Sequence, residues 1–170
     1  MNNLIHSLES AIEQKNWYAA VMVALTLPDI CGKIEHPADN SGARYKKWCE
    51  KYLEPKYTHF VGPSWMGGFE HKFLSGSDCY ALRCALLHEG SDEITEQRAR
   101  ESLDRFHFTA PPDSGSMHCN QANMVLQLQV DKFAADIIQS IREWLSDIKG
   151  DIEKEGKLAN LVIIYDSFTF

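Results

Sequence analysis

Residues 77–91 read "SDCYALRCALLHEGS", and two side chains stand out in a run otherwise rich in Cys, Tyr, Ala and Leu. Burying a charge without a partner is costly, so Arg83 and His88 each require a partner, a solvent-lined cleft or a chemical task. Ser77 stands where an N-cap would start a helix and Gly90 where a C′ residue would end one, so the pattern predicts a helix over 78–88. On an ideal α-helix two residues five apart differ by about 140° around the axis. Bringing Arg83 and His88 together therefore needs a frayed last turn, a long reach by the Arg side chain, or a second copy of the helix.

His88 lies in the final turn beside Glu89, and an imidazole can serve as acid or base near neutral pH. Arg83 keeps its charge at any working pH and suits bidentate contact with phosphate oxygens. Together they fit phosphodiester cleavage in RNA: a base takes the 2′-hydroxyl proton, that oxygen attacks the adjacent phosphorus, and Arg stabilises the developing charge. The plainer alternative pairs Arg83 with Asp78 or Glu89 inside the fold and satisfies His88 with a backbone carbonyl.

At 170 residues, with 44% hydrophobic and 24% charged content, the chain is expected to form one soluble domain spanning residues 1–170. Its net charge of −7, from 24 acidic against 17 basic residues, argues against broad, non-specific nucleic-acid binding but leaves room for a local basic face. Five scattered cysteines with no CxxC pair do not read as a disulfide framework and point to a reducing compartment. The opening "MNNLIHSLESAIEQ" lacks the basic region of a signal peptide, and the apolar run "AAVMVALTL" falls short of the roughly 20 residues a membrane span needs. The expectation is a cytoplasmic protein without membrane contact.

Other chemistry is poorly supported. "GPSWMGGF" fits neither the GxGxxG nor the GxxxxGK phosphate loop, and there is no nucleophile elbow. His107, His118 and Cys119 match no zinc spacing, so neither metal nor cofactor is expected. Cys84 shares a helix face with His88 at i, i+4, yet a Cys in such a run reads as core.

Along the chain, Leu4, Ile5, Leu8 and Ile12 predict a helix over 3–14, and "NWYAAVMVALTLPDI" (16–30) a buried helix bent or ended by Pro28, with no visible chemistry. "ARYKKWCEKYL" (43–53) puts Tyr45, Trp48 and Tyr52 on one stripe and Arg44, Lys47 and Lys51 on another. The aromatics read as core beneath a charged face, while the three basic residues are candidates for RNA phosphate contacts. Residues 54–77 read as a long ordered loop, and 92–105 as a short surface helix. "RFHFT" (105–109) and "NMVLQLQV" (123–130) look like strands able to pair as a hairpin, followed by an amphipathic helix over 131–149. The β-branched C-terminal stretch, within 157–170, reads as a strand or as an arm packing on another subunit.

"LRCALLHEG" resembles the signature helix of the HEPN superfamily, in which an Arg and a His are separated by four to six residues; Arg83 and His88 give the four-residue form. The surrounding "SGSDCYALRCALLHEGS" is also similar to a group of small bacterial HEPN-like proteins. The resemblance is sharpest over residues 77–91 and implies a mainly α fold, an antiparallel helical bundle, here with a small β-hairpin insertion. It further implies a homodimer through the motif helix, with both copies of Arg83 and His88 lining one cleft.

Many members are metal-independent endoribonucleases of toxin–antitoxin, antiviral or CRISPR-related systems. Others bind a nucleotide, RNA or a partner protein without catalysis, and an antitoxin or regulatory protein is an implied partner. On this resemblance Arg83 is the phosphate clamp and His88 the acid/base, with Asp78, Cys84 and Glu89 supporting. Active members usually carry a polar residue directly after the Arg, where this chain has the weak donor Cys84; Asp78 is the candidate to orient the guanidinium instead.

Overall fold

The structure is a computed structural model that describes residues 1–63, 65 and 67–165. It is mainly helical, with six α-helices and two small sheets among the described residues. Helix α1 (Asn2–Glu13) buries Ile5 and Leu8 and lies against α2 (Trp17–Glu35). Asn16 caps α2 by accepting the Ala19 N–H at 3.3 Å.

The apolar circumference of α2 explains its central position, packed by α1, by α3 (Ser41–Tyr52) and by α5 (Val130–Asp147). Pro28, expected to bend or end this helix, does not end it: α2 runs on to Glu35. A proline removes one ladder bond, but here burial of Leu25, Leu27, Cys31 and Ile34 on both sides holds the helix through it. Among the described residues α2 is also the one helix long and apolar enough to qualify as a candidate span, and half of that stretch is buried in the protein interior.

Helix α3 carries its aromatic stripe inward as expected: Tyr45, Trp48 and Tyr52 are buried. Its approach to α2 is very close, since a Cβ on Gly32 would lie 2.8 Å from the Arg44 carbonyl oxygen. That closeness sets Arg44 beside Asp29 one turn earlier on α2.

The described parts of 54–77, expected to be a long ordered loop, contain regular structure. A 3-10 turn (Glu54–Tyr57) leads into β1 (Thr58–Val61), which pairs antiparallel with β2 (Phe69–Lys72). The aromatic and Gly-rich composition hid the alternation because both strands are largely exposed and carry no buried face.

Helix α4 (Gly76–Cys84) is capped by Ser75, whose hydroxyl accepts the Asp78 N–H at 3.0 Å, and not by Ser77. It continues into a π-helical turn, Ala85–Glu89, closed by Gly90 at φ +68°. No helix forms over 92–105. The fully buried Asp78 carboxylate takes the backbone N–H groups of Glu101, Ser102 and Leu103, which fixes that segment in a non-helical course.

The expected hairpin is also corrected. Strand β3 (Arg105–Thr109) runs parallel to β5 (Val125–Gln129), and β4 (Asn120–Ala122) forms the antiparallel partner of β5, giving the order β3-β5-β4. The tight turn at Asn123, φ +55°, serves β4 and β5, so the chain from 110 to 119 acts as the crossover that a parallel pair requires. The amphipathic α5 lies close to its expected bounds and buries Phe133, Ile137, Ile141 and Trp144. It is followed by α6 (Ile152–Ala159).

The C-terminal segment is therefore helical at its start. Residues Val162–Tyr165 follow without secondary structure and expose their side chains, and 166–170 lie outside the described residues.

Candidate functional site

The π-helical turn resolves the geometry of the motif. Its wider spiral makes backbone bonds five residues apart, as between Gly90 N–H and the Ala85 carbonyl, and so rotates His88 back toward Arg83. Arg83 Nη1 lies 3.0 Å from His88 Nε2. Guanidinium nitrogens only donate, so in this contact Nε2 is the acceptor. A frayed turn or a second helix is not needed for the two to meet.

Arg83 is anchored on its other arm by a residue that the sequence did not reveal. Nη2 donates to Asp29 Oδ2 at 2.9 Å, and the other oxygen of the same carboxylate accepts from Arg44 Nη2 at 3.1 Å and Nε at 3.2 Å. All three side chains are mostly enclosed, with 16% exposure for Asp29 and 19% for each Arg. Two guanidiniums around one carboxylate leave the cluster with a net positive charge. His88 is exposed, so the cluster is open to solvent on the imidazole side. Arg83 Nε is buried and meets no hydrogen-bond partner among the described residues.

Asp78 does not orient Arg83. It accepts from Ser75 Oγ, from Ser102 Oγ and from three backbone N–H groups, so its lone pairs serve the chain course and not the motif. Glu89 does not pair with Arg83 either and accepts from Gln97 Nε2 at 2.8 Å. Cys84 is half-buried with a free thiol, neither enclosed as core nor hydrogen-bonded to His88.

Of the basic stripe on α3, Arg44 belongs to the Asp29 cluster, while Lys47 pairs with Asp39 at 2.7 Å and Lys51 with Asp147 at 3.2 Å. Both lysines are more than half exposed, so these are surface pairs of little energetic weight that a phosphate can replace. Beside Asp29 and Arg44 opens a groove of about 610 Å³ that also meets Lys33 and Lys157. Those two lysines were not foreseen, because they sit on different helices and share no periodic pattern.

The three residues weighed for metal binding are not gathered. His107 lies on β3. His118 is held elsewhere, with Nε2 at 3.3 Å from both the Tyr57 hydroxyl and Asp136, and Nδ1 accepting the Gln129 N–H. Burial pushes the Tyr57 hydroxyl far up, and Asp136 adds to this. Burial, with Asp136, also pushes the Cys119 thiol up to about 11, which disfavours the thiolate a metal needs. Among the described residues no group of three His, Cys, Asp or Glu side chains is placed to hold a metal ion.

No family model, curated protein or solved structure matches the chain. The functional reading therefore stands on the site itself.

Proposed function

We propose that the protein is a HEPN-type endoribonuclease, cytoplasmic and dimeric through its motif helix, in which Arg83 clamps the scissile phosphate and His88 moves the proton. The observation that carries this reading is the contact between Arg83 Nη1 and His88 Nε2 at 3.0 Å, formed by a π-helical turn and open to solvent on the imidazole side. π-Helical turns are frequent at functional sites. An incoming phosphate draws Nη1 away from His88 and frees Nε2 as the base. The 2′-oxygen, relieved of its proton, attacks phosphorus while Arg83 neutralises the developing charge. The other copy's His88, across the dimer cleft, enters as the imidazolium, no longer accepting from Arg83, and gives its proton to the leaving 5′-oxygen, so the products are a 2′,3′-cyclic phosphate and a 5′-hydroxyl. Arg44 and the exposed Lys47 and Lys51 extend a basic path for the RNA backbone away from Asp29.

Incubating purified wild type and His88→Ala with mixed RNA in EDTA tests the proposal. Wild type is expected to give fragments with cyclic phosphate ends, and His88→Ala none. Cleavage that survives the substitution removes His88 from its role.

A second reading has its own support. Asp29 already occupies Arg83 Nη2 and the Nε and Nη2 of Arg44, and the residue after Arg83 is the weak donor Cys84. A non-catalytic module that holds a nucleotide, RNA or a partner protein, such as an antitoxin or other regulator, fits that arrangement. RNA binding without cleavage, weakened in Arg83→Ala at unchanged melting temperature, would favour it.

A further inference from the structure

The outer edge of the three-stranded sheet is only half covered. Residues Asp92–Ile94 pair with the start of β3: Phe106 N–H donates to the Asp92 carbonyl at 2.9 Å and Ile94 N–H to the Asp104 carbonyl at 2.8 Å. The chain preceding Asp92 then turns away through Ser91 and Gly90 into the motif turn. In a strand successive backbone groups face opposite sides. Arg105 N–H points to Met124 on the β5 side and Phe106 N–H points outward, so Phe108 N–H also faces outward. Among the described residues it meets no acceptor there.

That open edge, with Phe108, Thr109 and Ala110, forms one wall of a groove of about 700 Å³ that is also lined by the apolar Tyr18 and Met22 of α2 and Leu86 of the motif turn, with Glu89 and Asp92 among its polar residues. Tyr18 is 84% exposed, an unusual state for an aromatic residue beside the core. An unpaired strand edge beside apolar walls is the feature that captures an extended peptide by strand addition.

The chain carries a segment of matching chemistry. Val162, Ile163, Ile164 and Tyr165 are consecutive, mostly β-branched and exposed, Ile164 at 95%. In this structure none of them lines the groove of their own molecule and all four stay exposed, which leaves both the groove and the segment open to a second copy.

We propose that Val162–Tyr165 of one copy adds as a strand to the Phe108 edge of another, seating its β-branched side chains against Tyr18, Met22 and Leu86. The inference is independent of RNA cleavage, because it uses neither Arg83 nor His88. Sedimentation of the full chain tests it with Ile164→Asp in the arm and Met22→Glu in the groove, both at exposed positions. The arm contact adds to the dimer proposed through the motif helix, so each variant is expected to dissociate at least tenfold more readily than wild type at an unchanged melting temperature. An equal mixture of the two is expected to recover part of that tightness in the heterodimer, since one intact arm then meets one intact groove. Hydrogen exchange is expected to show the Phe108 amide protected in wild type and released in Ile164→Asp. A monomeric wild type, or an Ile164→Asp dimer with Phe108 still protected, overturns the proposal.

Discussion

Asp29 holds Arg83 and Arg44 on its two carboxylate oxygens, at 2.9 Å and 3.1 Å, and so fixes the guanidinium whose free arm meets His88. A clamp of this kind matters because an unpaired Arg side chain samples many rotamers, and a phosphate would have to immobilise it again on binding. Asp29→Asn is expected to leave two facing guanidiniums without their counter-charge. RNA cleavage should fall about 10- to 100-fold and stability by about 1–3 kcal/mol. Single-turnover cleavage beside urea denaturation checks this, and cleavage at the wild-type rate would show that Asp29 does not position Arg83.

The same cluster depends on how closely two helices approach. Gly32→Ala sets a Cβ about 2.8 Å from the Arg44 carbonyl, so α2 and α3 must part. Alanine favours a helix over glycine by about 1 kcal/mol, while overpacking costs about 1–3 kcal/mol, so a net loss near 1 kcal/mol is expected. A raised melting temperature in this variant would show that the helices part without strain.

Asp78 is predicted to matter for stability and not for phosphate contact. Asp78→Ala strands the N–H groups of Glu101, Ser102 and Leu103 in the interior, and a loss of about 3–5 kcal/mol is expected in urea unfolding. A loss below about 1 kcal/mol would mean that water or a rearranged chain replaces the carboxylate.

Acid sensitivity should run in part through Glu35. Burial pushes its carboxyl up, but hydrogen bonds from Trp144 Nε1 and Lys154, with the charge of Lys154, outweigh that and hold it below the usual 4.5. A carboxyl with a lower pKa folded than unfolded contributes fully above the unfolded value and loses that contribution as pH falls through the folded one. The stability gap between wild type and Glu35→Gln should therefore shrink as pH falls from about 5.5 to 3. A gap independent of pH would contradict the assignment.

How much of this was legible in the sequence depends on what each residue's neighbours are. The helices α1, α3 and α5 lie near their expected bounds because an apolar stripe at helical period reports a buried face directly. Alternation marks a strand but not its partner, so β3 and β5 looked like a hairpin and proved parallel. The segment 92–105 had capping and helix-forming residues, yet a carboxylate fourteen residues upstream of Asp92 captured its backbone. Arg83 and His88 were visible as charges in an apolar run, whereas Asp29 was passed over at the end of another such run. A turn of π-helix leaves no periodic mark, so the contact it creates could not be read from spacing alone.

The measurement that bears most directly on the site is single-turnover RNA cleavage in EDTA by wild type, Arg83→Ala, His88→Ala and the double variant, with melting temperatures taken alongside. If the two side chains act as one unit, each single substitution should cost at least about 100-fold and the double variant little more, because groups acting together are not additive. Cyclic phosphate ends should appear with wild type alone. Cleavage persisting in either single variant at a wild-type rate would contradict the pairing of Arg83 with His88 as the catalytic centre.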